Sequence, residues 1–397
     1  MPRQTRQTSA HGDALVKPRA ITGVGVTSAL GTGSLHTLEA SAPSPQPHAI
    51  TSFDASPYGT PNVFEVPDFA PASILGDKGL RTLDRLTKLL LVAARLSLVD
   101  AGLKREGAWT ALSPERVGVV CSNAYGSLEA ITELDRVLVL EDPRYINPAK
   151  FPNTVSNSAS GYISIWEDLR ALNVTVSDGN CGGLDAFSCA DLFLESGRAE
   201  AILTGGGEAM SEALFLAFEK LGALEHGSSV GEGASFMVVE PLERANARSA
   251  RVLGTVNGYG TAFAAPPEGD PSLLFTSHRA IERSMQAALR DAGIPPEAID
   301  LVVSNASGVA LFDREERAAI DAVFGPTMPM AAPKQNFGET LGASAALAVA
   351  ASLAWLGGTK PTCLLRGDLS RDIRTVLISS VGYYGNASAL VLAARSV

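Results

Sequence analysis

The stretch VSDGNCGGLDAFSCADLF, residues 176–193, sets Cys181 between an irregular polar run and an apolar helix. Leu184, Phe187, Leu192 and Leu194, with Ala186 and Ala190, give that helix a face to bury, and Gly182 and Gly183 let the backbone approach closely where it begins. A cysteine at a helix start faces unpaired N–H groups and the positive end of the helix dipole. Both favour a thiolate and would make Cys181 a usable nucleophile, the fastest of the four thiols to alkylate. The competing reading is a small, buried, inert cysteine, and it is the one given to Cys121, Cys189 and Cys363.

Around this residue strands and helices alternate, the pattern of an α/β fold. Strands are expected at AITGVGV, RVGVVCSN, AEAILTGG, SFMVVEP, RVLGTVNGYG, IDLVVSNA, TVLISSVG and SALVLAA. Helices are expected at LDRLTKLLLVAARLSLVDAG, LDAFSCADLFLESG, SHRAIERSMQAALRDAG and SAALAVAASLAWLGG, each closing on glycine. One echo stands out: VDAGL (99–103) precedes RVGVVCSNA, and RDAGI (290–294) precedes IDLVVSNAS. Two similar halves, 19–250 and 251–397, behind a disordered tail at 1–18, account for the echo and the length of 397 residues.

Several classes of function are excluded on composition. The formal charge is −10 and no Lys/Arg run marks a nucleic-acid surface. The four cysteines have neither metal-ligand spacing nor disulfide-scaffold density, so no metal is expected and the compartment is reducing. GVGVTSALG lacks the GxGxxG spacing of a dinucleotide loop, and no cofactor is expected. The start is polar, unlike a signal peptide, and the most apolar run, ASAALAVAASLAWL, is short of the ~18 residues that span a bilayer. A cytoplasmic protein that spans no membrane is the expectation.

From residue 19 onward the chain resembles the β-ketoacyl-acyl carrier protein synthases, or ketosynthases, of the thiolase superfamily. The resemblance rests on AITGVGVTSALGTG, FPNTVSNSASGYISI, VTVSDGNCGGLDA, ILTGGGEAM, VGEGASFMVVEPLERANARSARV, ERAAIDAVFG, PKQNFGETLGASAALA and SVGYYGNASALVL, in that order. It implies a thiolase-like five-layer αβαβα fold built from two similar halves. It also puts Cys181 at the position that carries the acyl chain as a thioester. The family site holds two histidines as well, one in NAHGT and one in GH, a few residues after a lysine. Here SNASGVA puts Ser307 at the first position; KQNFGET keeps Lys334 but puts Glu339 at the second. The histidines of the chain, at 11, 36, 48, 226 and 278, lie outside both motifs. The family's oxyanion hole, formed by the N–H groups of the cysteine and of an aromatic residue in GFGG, implies Cys181 and Tyr383 of GYYG, with Tyr384 replacing a glycine.

These departures matter physically. An ionised Glu339 repels a developing oxyanion by ~4 kcal/mol at 4 Å and an effective dielectric near 20, about a thousandfold in rate. A Glu339 protonated by burial could donate instead, and a Glu339 paired with Lys334, itself able to reach Glu316, would be merely structural. Two functions remain open. The resemblance to chain length factors implies a subunit that pairs with an active ketosynthase, meets an acyl carrier protein and shapes the acyl pocket. The alternative is a stand-alone acyltransferase that uses Cys181 without decarboxylation. The family implies a dimer through LNVTVSDG, a heterodimer on the first reading and a homodimer on the second.

Overall fold

Runs of valine, isoleucine and leucine bounded by glycine form the strands, because branched side chains pack well on a pleated surface. The computed structural model describes residues 18–39, 45–54, 57, 62–220, 229–269 and 274–395; apart from Pro18, the tail expected at 1–18 lies outside them. The first part of the chain supplies β1 (Arg19–Ser28), β2 (Val117–Ser122), β3 (Asn173–Val176), β4 (Ala201–Glu208) and β5 (Gly233–Pro241). The second supplies β6 (Gly254–Phe263), β7 (Leu301–Val303), β8 (Met330–Ala331), β9 (Leu364–Arg366), β10 (Thr375–Val381) and β11 (Asn386–Ala393). The helices that position the site are α1 (Arg85–Asp100), α2 (Leu128–Leu140), α3 (Ser158–Glu167), α4 (Gly182–Glu195), α5 (Glu212–Lys220), α6 (His278–Ala292), α7 (Ala310–Phe324) and α8 (Ser344–Leu356).

The two sets of strands follow one plan. The first runs β3-β2-β4-β5-β1 and the second β8-β7-β10-β11-β6, with β9 added beyond β8. In each, the first strand pairs antiparallel with the last, the last antiparallel with its predecessor, and the remaining two pairings are parallel. The sets join where Arg19–Ile21 pairs with Gly254–Val256. Alternation along each strand separates the layers, since neighbouring side chains point to opposite faces. Val120 faces a central core with Leu184, Leu347 and Ile378, whereas Val119 and Cys121 face an outer core with α1 and α3. Val302 and Leu377 face the opposite outer core with α6 and α7. The result is the five-layer αβαβα arrangement expected. Helix α8 is buried on every side between the sheets, and no helix among the described residues is long and apolar enough to cross a membrane.

The DAG echo has a physical cause. Asp100 at the end of α1 accepts the N–H of Val24 (3.0 Å), between Gly23 and Gly25; Asp291 at the end of α6 accepts the N–H of Tyr259 (2.8 Å), between Gly258 and Gly260. Each helix lies so close to its strand that a Cβ at Gly25 would stand 2.0 Å from the Ala93 carbonyl oxygen, and one at Gly260 2.2 Å from that of Ser284. Gly25→Ala and Gly260→Ala are therefore each expected to cost about 1–3 kcal/mol or more through overpacking. Thermal unfolding checks this, and a melting temperature equal to wild type in either variant would contradict it.

Candidate functional site

The candidate residues gather where chain segments leave the sheets. Asn305–Gly308 follow β7, Gly382–Gly385 follow β10, Asn180 and Cys181 open α4, and Gly338–Leu341 lead into α8. At their centre is a buried ion pair: Lys334 Nζ lies 2.7 Å from Glu339 Oε2. The same carboxylate accepts hydrogen bonds from the Tyr383 hydroxyl (2.8 Å), the Leu341 N–H (3.0 Å) and the Ser344 hydroxyl (3.1 Å). Burial alone would raise its pKa, but the Lys334 ammonium and these donors outweigh burial and hold it below the usual carboxylate value. The ammonium at 2.7 Å and three further donors are the surroundings of a carboxylate that accepts, not of a protonated donor. Lys334 does not turn to Glu316, which instead accepts from the Ser304 hydroxyl (2.6 Å) and the Asn305 N–H (2.9 Å). Leu341 adopts a left-handed φ of 43°, a strained conformation for a side chain of its size, and its N–H is one of those given to Glu339.

Ser307 is held through its backbone. Its N–H and that of Gly308 donate to the Asp313 carboxylate at 3.1 and 2.9 Å. Ser307, Asp313, Arg317 and Lys334 line a cleft of about 370 Å³ whose walls mix polar and apolar groups. A second cleft, of about 400 Å³ and largely apolar, is walled by Leu214, Phe218, Val309 and Tyr383, with Tyr125 and Tyr384 also lining it. The hydroxyls of Tyr125 and Tyr384 stand 3.4 Å apart, so the tyrosine that replaces a glycine is half-exposed and meets a second tyrosine across the cleft. Of the described histidines, His48 faces Glu65 (3.4 Å) and His278 faces Glu315 (3.0 Å); residues 11 and 226 lie outside the described residues.

Cys181 departs from expectation. It stands at the start of α4 but is 0% exposed, and its thiol donates to the Ser380 carbonyl (3.5 Å), close to Ser388, Asp185 and Asp178. Burial, reinforced by the two aspartates, pushes the thiol well above its ordinary pKa; the helix dipole, worth at most about 2 kcal/mol, does not offset them. Asp185 is itself raised to about 7 by burial and by its hydrogen bond with Asp178. The Cys181 N–H donates to the Asp178 carbonyl (3.1 Å), so it is not the free oxyanion donor that the resemblance implied.

The preceding residue turns instead to the end of β10. Asn180 is buried, its side-chain amide donates to the Val381 carbonyl (3.2 Å), and its backbone carbonyl accepts from the Ser380 hydroxyl (2.7 Å). Successive side chains at a helix start point about 100° apart, so one position separates a side chain bonded to Val381 from one in the core. The signal for this lay in Gly182 and Gly183: a Cβ on the first would meet the Ser122 hydroxyl at 2.5 Å, and one on the second Ala345 Cβ at 2.8 Å. That side of the helix start is packed core. Alkylation by iodoacetamide of the folded protein is accordingly expected at the half-exposed Cys189 first, with Cys181 modified only on unfolding. Peptide mapping checks this, and faster labelling of Cys181 would restore it as the nucleophile.

Comparison with known proteins agrees with the geometry. The Beta-ketoacyl synthase N-terminal domain family matches residues 65–245, and the Beta-ketoacyl synthase C-terminal domain family matches 253–360. The 3-oxoacyl-[acyl-carrier-protein] synthase 2 of Coxiella burnetii is 30% identical, over 94% of this chain and 97% of that protein. Among solved structures, the ishigamide ketosynthase/chain length factor superposes with a TM-score of 0.84 at 28% identity, over 96% of this chain and 100% of that one. AntDE:AntF, a type II PKS acyl-carrier protein in complex with its ketosynthase, gives 0.80 at 22%, over 96% and 100%, and shows the shared fold. The two family models, which together span most of the chain, and a relative 30% identical over 94% of it make this chain, with its two half-sheets of one plan, a member of the β-ketoacyl synthase family.

Proposed function

We propose that the chain is a non-condensing subunit of the chain length factor type, which pairs with an active ketosynthase and shapes the pocket for an acyl chain delivered by an acyl carrier protein. The observation that carries this reading is the buried contact of Glu339 with Lys334 at 2.7 Å, at the position where the resemblance implies a family histidine. Decarboxylative condensation develops negative charge on the substrate. An acceptor at that position opposes such charge where a donor would stabilise it. Asn180 and Ser307 add no imidazole, and an amide is no nucleophile. Similarity to the ishigamide ketosynthase/chain length factor supports the same reading. Against the alternative of an acyltransferase working through Cys181 stands the burial of that thiol.

The dimer surface of this reading is the outer edge of β3. Among the described strands β3 pairs with β2 alone, which leaves one row of backbone donors and acceptors to continue the sheet into a partner. Ile165 on α3, packed over this edge, is 75% exposed, an apolar side chain suited to a large interface. The two halves of the chain, 19–250 and 251–397, would each contribute their own set of strands in such an assembly, and a cytoplasmic setting suits a carrier-protein partner.

The purified chain is expected to release no carbon dioxide from radiolabelled malonyl carrier protein, and Ser307→His with Glu339→His to recover at most slight release. Co-expressed with a histidine-intact ketosynthase, it is expected to appear as a one-to-one complex in native mass spectrometry. Robust carbon dioxide release by the wild-type chain alone would overturn the subunit reading.

A further inference from the structure

We propose that Glu339 is the positioning residue of a latch: held by Lys334, it anchors the Tyr383 hydroxyl and so fixes the 382–385 turn as a rigid wall of the apolar cleft. The turn is tied on one side through its backbone. Phe275 N–H donates to the Tyr383 carbonyl (2.8 Å), Gly385 N–H to the Phe275 carbonyl (2.8 Å), and Gly382 N–H to the Asn386 carbonyl (2.9 Å). On the other side the Tyr383 hydroxyl donates to Glu339 at 2.8 Å. A phenol donating to a carboxylate forms a charge-assisted hydrogen bond, stronger than a neutral one, and desolvation strengthens it further.

The anchor does not yield easily. Glu339 is pinned by the Lys334 ammonium, the Leu341 N–H and the Ser344 hydroxyl, so the carboxylate cannot follow a moving tyrosine. Burial first, then the adjacent Glu339 charge, raises the Tyr383 hydroxyl well above its ordinary pKa, which keeps it a donor. The ring itself stands edge-on to Phe312 at 4.8 Å and to Phe218 at 6.5 Å, forming the cleft wall. The residue in the histidine's place thus has work of its own: it sets the shape of the cleft. This assignment concerns what holds the turn and stands whether or not the chain pairs with a ketosynthase.

Hydrogen exchange of the Phe275, Gly382 and Gly385 amides tests it. Tyr383→Phe, which removes one oxygen atom, is expected to speed their exchange about tenfold or more while leaving α1 unchanged. Glu339→Gln alone strands a buried ammonium, so the double variant Lys334→Met with Glu339→Gln is the second probe, expected to speed the same amides but by less. Phe218→Leu, which trims the packing and spares the hydroxyl, is expected to leave them protected. Wild-type exchange rates in Tyr383→Phe would overturn the latch, as would a Phe218→Leu effect as large as that of Tyr383→Phe, since packing would then be what holds the turn.

Discussion

The buried ion pair between Lys334 and Glu339 is the constraint on which the rest of the site depends. Two charges this deep are tolerated only when each has a partner and the remaining lone pairs are filled. Glu339 meets that condition with one ammonium and donors from Leu341, Ser344 and Tyr383. Removing either charge would leave the other unpaired, a loss of about 3–5 kcal/mol. The pair therefore ties the segment that leads into α8, together with the first turn of that helix, to the turn after β10. On the reading proposed above it also gives the site its sign, because a carboxylate would oppose negative charge developing on a substrate there.

The fold brings these parts together by repeating one strand plan. In each half the parallel strands end toward one region, which is where α/β sheets place their sites. β2 leads to Tyr125, β7 to Ser307 and β10 to Tyr383, while α4 and α8, packed against one another between the sheets, start there with Asn180 and just after Glu339. The central helices can pack so closely because their contact is made of glycine and alanine, Gly183 against Ala345.

Much of this was legible in the sequence. The eight strands and four helices expected are all present, because their apolar patterns matched buried faces and their ends carried glycine. The DAG echo pointed to two halves, and its cause proved local: each aspartate caps a backbone N–H between two glycines. Helices α2, α3, α5 and α7 went unseen, two of them for a visible reason. α2 exposes Leu138, Val139 and Leu140, and α3 exposes Ile165, so their apolar residues do not form one clean buried stripe. That Lys334 could pair with Glu339 was among the alternatives legible in the sequence, and the structure brings Ser307 and Lys334 to one cleft. The orientation of Cys181 was not legible, because a helix start is recognisable to within a residue while the direction of a side chain changes by about 100° with each one. Nor could the sequence weigh burial and two aspartates against a helix dipole, since both aspartates act through folded geometry.

The charge state of Glu339 carries the account, and infrared difference spectroscopy between the wild-type chain and the Glu339→Gln variant reads it most directly. Lys334→Met with Glu339→Gln, compared with Lys334→Met alone, serves as the pair if the single variant does not fold. At neutral pH the wild-type difference is expected to show the antisymmetric stretch of an ionised carboxylate, lost on substitution. The carbonyl stretch of a protonated acid in its place would contradict the account, because Glu339 would then be a donor suited to the chemistry that the site is argued to lack.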